Sequence, residues 1–123
     1  MVNISDAEWK IMNVLWEHSP YTIMQLTKEL ADSTGWTKHT VMGLLKRLEE
    51  KGAVYYQEGE RAKQYYANVP QNEVVIEEVR SFLGKTFKGK LGLMINTMIK
   101  EEAISKAELD ELYEILEKER SEG

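Results

Sequence analysis

The 123-residue chain contains no cysteine. Disulfides, thiolate metal sites and cysteine nucleophiles are excluded together, and a reducing compartment is compatible with this. Histidine occurs only twice, as His18 and His39, which are too far apart in sequence to suggest a metal pair. Proline also occurs only twice, and Pro20 and Pro70 each close a patterned segment instead of interrupting one. There is no basic start followed by an apolar stretch, so no secretory signal is expected. No apolar run approaches the ~20 residues of a membrane helix. The expectation is a cytoplasmic protein without membrane insertion. A glycine-rich phosphate loop, a nucleophile elbow and metal-ligand spacing are all missing. The C-terminal acidic residues are spaced as solvated helix faces, not as a converging pair. Enzyme readings fail on this inventory, and neither a cofactor nor a metal is expected.

Hydrophobic residues make up 42% of the chain, enough for one small domain with a helical arm. The net charge is −5, and it is unevenly spread. Residues 1–70 carry eight Lys/Arg against nine Asp/Glu, whereas residues 71–123 carry eight against twelve. Between 36 and 48 the only charges are Lys38, Lys46 and Arg47, beside His39. A DNA footprint needs such a local cluster, not a basic protein.

Three helix starts are encoded as capping boxes: Ser5 with Glu8, Thr22 with Gln25, and Ser105 with Glu108. The first helix should run to about Glu17, burying Ala7, Ile11, Val14 and Leu15 on one face. The second should bury Ile23, Leu26 and Leu30. Thr37 is the expected cap of a third helix, which continues to Lys51 and stops at Gly52. Two aromatic strand-prone runs, Val54–Gln57 and Gln64–Ala67, enclose a turn at Glu58–Arg61 and predict a β-hairpin. Helical patterning returns at 71–86, 90–100 and 105–119. Three helices, a hairpin and further helices predict a mostly α fold with a small β element. The expected domains are a winged helix-turn-helix at 1–70 and a helical dimerisation arm at 71–123. Tyr21 sits where such folds place a short extra strand.

At 100° per residue, Val41, Leu44, Leu45 and Leu48 share the buried face of the third helix. Opposite them lie His39, Met42, Gly43, Lys46 and Arg47, with Thr40 at the edge. Cations for phosphates, polar groups for base edges and little bulk at the point of closest approach are what DNA requires. A glycine inside a helix costs about 1 kcal/mol relative to alanine, so Gly43 on an exposed face suggests close approach of another surface. Thr37 and Lys38 stand at the helix start, a natural phosphate position. Arg61 and Lys63, beside Glu58 and Glu60, give the hairpin cations that can touch DNA. Of Tyr55, Tyr56, Tyr65 and Tyr66, at least half are expected to pack across the strands. Trp9 and Trp16 are expected in the core, and Trp36 is expected to set the angle of the third helix.

The arm presents Phe82, Leu83, Phe87, Leu91, Met94, Ile95, Met98, Ile99, Leu109, Leu112, Ile115 and Leu116. That is more apolar surface than short helices bury alone. Folding back on the winged domain or pairing with a second copy would hide it. A reader of palindromic double-stranded DNA favours a homodimer, whose two-fold axis sets two recognition helices about one turn apart.

The chain resembles the penicillinase-repressor (BlaI/MecI) family, with its CopY branch, over nearly its whole length. The resemblance rests on Ile4-Ser5-Asp6-Ala7-Glu8-Trp9 with Met12 and Trp16, and on Gly35-Trp36-Thr37 with Thr40 and Leu44. It extends through Arg47-Leu48, Lys51-Gly52, Tyr65-Tyr66 and Leu109 with Leu112. It implies a homodimeric repressor on palindromic operators before antibiotic-resistance genes of the β-lactamase type. In the β-lactam branch it further implies a membrane sensor protease as partner, cutting an Asn-Phe bond in the arm. Ungapped counting puts that bond at Thr97–Met98, with Asn96 one place early. Family members often carry Pro and Lys where this chain has Lys38 and His39, and a larger residue at Gly43. The C-terminal cysteines of copper-responsive relatives are absent, which argues against thiolate metal sensing. Two other readings fit the residues: a winged-helix module binding a protein through the same face, and a small-molecule sensor.

Overall fold

The computed structural model describes residues 2–122. Its elements run α1 (Asp6–Glu17), α2 (Ile23–Thr34), α3 (Lys38–Glu50), β1 (Val54–Glu58), β2 (Lys63–Ala67), α4 (Gln71–Phe87), α5 (Leu91–Lys100) and α6 (Lys106–Glu122). The fold is mostly helical with a winged helix-turn-helix, as expected. The chain divides into two compact units, Met1–Ile76 and Glu77–Gly123.

In the first unit, local chemistry sets the helix starts. The Ser5 hydroxyl accepts from the Glu8 amide at 3.2 Å, and Glu8 Oε1 accepts from the Ser5 amide at 2.8 Å. Thr22 and Gln25 repeat the exchange at 3.1 and 2.9 Å. Each box satisfies two of the amides a helix start leaves open. Ile11, Met12 and Leu15 from α1, Leu26 and Leu30 from α2, and Val41, Leu44, Leu45 and Leu48 from α3 form one core, joined by Ile4, Ala53, Val54, Tyr65 and Val74. Trp9 and Trp16 lie at its rim and are only partly buried; their rings meet edge-on at 5.6 Å. Trp16 stays at the rim because its indole N–H needs an acceptor, which it finds in the Val69 carbonyl at 2.9 Å.

Glu8 is the one buried charged residue recorded among the described residues, 1% exposed. Lys51, at the C-cap of α3, donates to its Oε1 at 2.5 Å and to the Asn3 carbonyl at 2.7 Å. Burial raises the Glu8 pKa, but the Lys51 ammonium and the Ser5 amide and hydroxyl outweigh it, leaving the pKa below the usual value. One ion pair thus ties the start of α1 to the end of α3.

The strands pair antiparallel from Val54↔Ala67 to Glu58↔Lys63. The hairpin is one residue longer at its tip than the turn residues suggested, because Glu58 and Lys63 pair instead of turning. Gly59 closes the tip, where a Cβ would lie 2.5 Å from the Ala62 carbonyl oxygen. Tyr21 bridges Tyr65 through two backbone hydrogen bonds, 3.2 and 2.9 Å, a single-residue bridge beside the two-stranded sheet where a short extra strand was expected. Tyr65 is buried, Tyr56 and Tyr66 are partly buried, and Tyr55 is exposed and stacks on Tyr66 at 5.1 Å.

The second unit contains the end of α4 together with α5 and α6. Its third capping box also forms: the Ser105 amide donates to Glu108 at 2.9 Å, and the Glu108 amide donates to Ser105 at 3.1 Å. No helix in the described residues is long and apolar enough to cross a membrane.

Candidate nucleic-acid interface

Helix α3 starts where the Thr37 hydroxyl accepts from the Thr40 amide at 3.4 Å. From there its period separates two faces. Val41, Leu44, Leu45 and Leu48 are at most 7% exposed. Lys38, His39, Thr40, Met42, Gly43, Lys46 and Arg47 are all exposed, as is Thr37 before them. The four apolar anchors hold α3 against α1 and α2, so its outer face is presented on a rigid support.

Among the described residues the sole ion pair is Lys51 with Glu8. Lys38, Lys46 and Arg47 are therefore three exposed cations with no ion-pair partner among the described residues. On the helix wheel Gly43 lies between Lys46 and Arg47, and a Cβ built on it meets nothing within 4 Å. No packing within the chain explains a glycine there.

Two shallow depressions gather the residues singled out in the sequence. Thr37, Lys38, His39 and Met42 line one, at the start of α3. Met42, Lys46 and Lys63 line another with Ile23, Glu49 and Tyr65, so Lys63 of the wing and Lys46 of the helix border one groove. Lys63 lies over the Tyr56 ring, 4.2 Å from its centroid. Hydrogen bonding to Tyr56 raises the Lys63 pKa above its ordinary value. Arg61 is exposed at the tip of the wing and lines neither depression. Ile23, Glu49 and Tyr65 were not among the expected contact residues. An acid and two apolar groups carry no charge signal for DNA, and only the packing of α2 and the wing against α3 brings them to the groove. Burial raises the Tyr65 pKa above its ordinary value. No group of His, Asp and Glu able to hold a metal occurs among the described residues.

The arm residues behave differently. Of the twelve apolar side chains expected to dimerise, Leu83 is buried within the single chain, 8% exposed. Phe87, Met94, Ile95, Met98, Leu109 and Leu112 are half-buried. Phe82, Leu91, Ile99, Ile115 and Leu116 are 44–56% exposed. Neither α5 nor α6 buries any residue. Asn96, Thr97 and Met98 lie inside α5, where the Thr97 hydroxyl donates to the Leu93 carbonyl at 2.8 Å.

The family model described as Penicillinase repressor matches residues 4–118. The Penicillinase repressor of Bacillus licheniformis is 32% identical over 118 residues, covering 96% of this chain and 92% of that protein. The Methicillin resistance regulatory protein MecI of Staphylococcus aureus is 28% identical over 115 residues, covering 94% of each. Among solved structures, the B. licheniformis BlaI monomeric form in complex with the blaP half-operator is 34% identical. That match has a TM-score of 0.51 and covers 58% of this chain and 87% of that one.

Proposed function

The chain belongs to the penicillinase repressor family, and on that premise we propose that it is a homodimeric transcriptional repressor of antibiotic-resistance genes. In this reading residues 1–70 bind palindromic operators and residues 71–123 join two copies. The observation that carries it is the outer face of α3. Among the described residues Lys46 and Arg47 make no ion pair and flank an open Gly43, with Lys38 at the helix start, on a helix whose other face is locked into the core. Thr37 and Lys38 would hold phosphate at the helix start. His39, Thr40 and Met42 would meet base edges, Lys46 and Arg47 bases or phosphates, and Arg61 and Lys63 of the wing the flanking backbone.

The homodimer is supported by the second unit. Helix α5, Leu91–Lys100, gathers Leu91, Met94, Ile95, Met98 and Ile99 on one face, opposite Asn96, Thr97 and Lys100. Such a face is made to be covered, yet the helix buries no residue in the single chain. A second copy supplies the missing cover. Cleavage at Asn96, Thr97 and Met98 by a sensor protease belongs to the same reading. It would cut that helix in two and thereby dissolve the dimer and release the operator.

The test is a gel shift with genomic fragments, followed by Lys46→Ala/Arg47→Ala on the retained duplex. Affinity should fall, and the slope of log K against log salt should shrink by about 2, one for each lost phosphate contact. Helicity should remain. No duplex retained at low salt, or an unaltered slope and affinity in the double variant, would reject the assignment in favour of a protein-binding face.

A further inference from the structure

The second unit separates its charges along the chain. Residues 79–100 hold five cations, Arg80, Lys85, Lys88, Lys90 and Lys100, and no Asp or Glu. Residues 101–122 hold nine acids against Lys106, Lys118 and Arg120. Lys85, Lys88 and Lys90 crowd the corner between α4 and α5, and all three are exposed. On α6, Asp110, Glu114 and Glu117 recur at i, i+4 and i+7, so they share one exposed face. That face flanks the stripe formed by Leu109, Leu112, Tyr113 and Leu116. No ion pair joins the two sets within the chain among the described residues.

A two-fold dimer lets each surface meet either itself or a different surface, the latter twice. Self-contact would set lysine against lysine at one place and carboxylate against carboxylate at another, and like charges facing across an interface are penalised. Exchange removes both penalties. We propose that the acidic face of α6 in one copy docks on the Lys85–Lys88–Lys90 corner of the second copy, once in each direction. This rests on the homodimer reading above and adds its alignment. The apolar faces supply the adhesion, and the charged flanks decide which way they meet, as flanking charges do in paired helices.

Full-length Lys85→Glu/Lys88→Glu/Lys90→Glu and Asp110→Lys/Glu114→Lys/Glu117→Lys chains test this by sedimentation across a concentration series. Each reversed chain alone should self-associate at least about tenfold more weakly than wild type. An equimolar mixture should regain a heterodimer near wild-type affinity, which also shows that both variants fold. Reversed chains that self-associate as wild type does, or a mixture that regains nothing, overturn the alignment while a wild-type dimer keeps the homodimer reading intact. A wild type that stays monomeric at all concentrations overturns both.

Discussion

Replacing Gly43 with alanine separates what the fold needs from what the interface needs. The added Cβ meets nothing within 4 Å, so the isolated chain incurs no steric cost. Alanine is the better helix former, and the change should stabilise the first unit by about 0.4–1 kcal/mol. For a unit of this size that raises Tm by roughly 2–8 °C. In the complex, a methyl group would enter the space that DNA must occupy. Overfilling a close-packed contact costs about 1–3 kcal/mol, a loss of roughly 5- to 150-fold in affinity. Circular dichroism melts and fluorescence anisotropy on the retained operator duplex read the two effects separately, and they should move in opposite directions. Unchanged affinity would show that no surface approaches Gly43. A lowered Tm would show that the folded chain itself has no room for a methyl group at Gly43.

Other perturbations address the scaffold. Lys51→Met leaves the buried Glu8 carboxylate without its cation and should cost about 1.5–3 kcal/mol at pH 7 by urea melts. Because the folded-state pKa of Glu8 is depressed, its stabilising contribution is complete above the unfolded value of 4.5 and is lost as pH falls through the folded value. The gap between wild type and Lys51→Met should therefore close in acid; a gap independent of pH would sink that account. Trp16→Phe removes the 2.9 Å bond to the Val69 carbonyl and should cost about 1 kcal/mol in the same melts, with operator affinity unaffected. Equal stability would mean that the bond contributes nothing.

Much of this was legible in the chain because it is governed by local chemistry. Ser5, Thr22 and Ser105 each form the capping box their spacing encodes. The apolar period of α3 separates its two faces as expected. Reading became less accurate where partners lie far apart in sequence. Trp16 was expected in the core but sits at its rim, held by a carbonyl 53 residues away. Glu8 reads as a helix cap, and nothing near it announces the lysine 43 positions later. Leu83 is among the arm residues expected to face a second copy, yet it is already buried within the single chain. A periodic pattern shows that a face is apolar without showing which of its members a neighbouring residue already covers.

By itself the sequence determined the helix starts to within a residue, the existence of the hairpin and the outward face of α3, because caps and periodicity act within a few residues. Only the tertiary structure decided that Lys63 of the wing borders the same groove as Lys46, that Tyr21 bridges to Tyr65, and that Glu8 is buried against Lys51. Those three contacts join elements separated by long stretches of chain. Their partners are selected by how whole helices and strands pack, and no local preference specifies that.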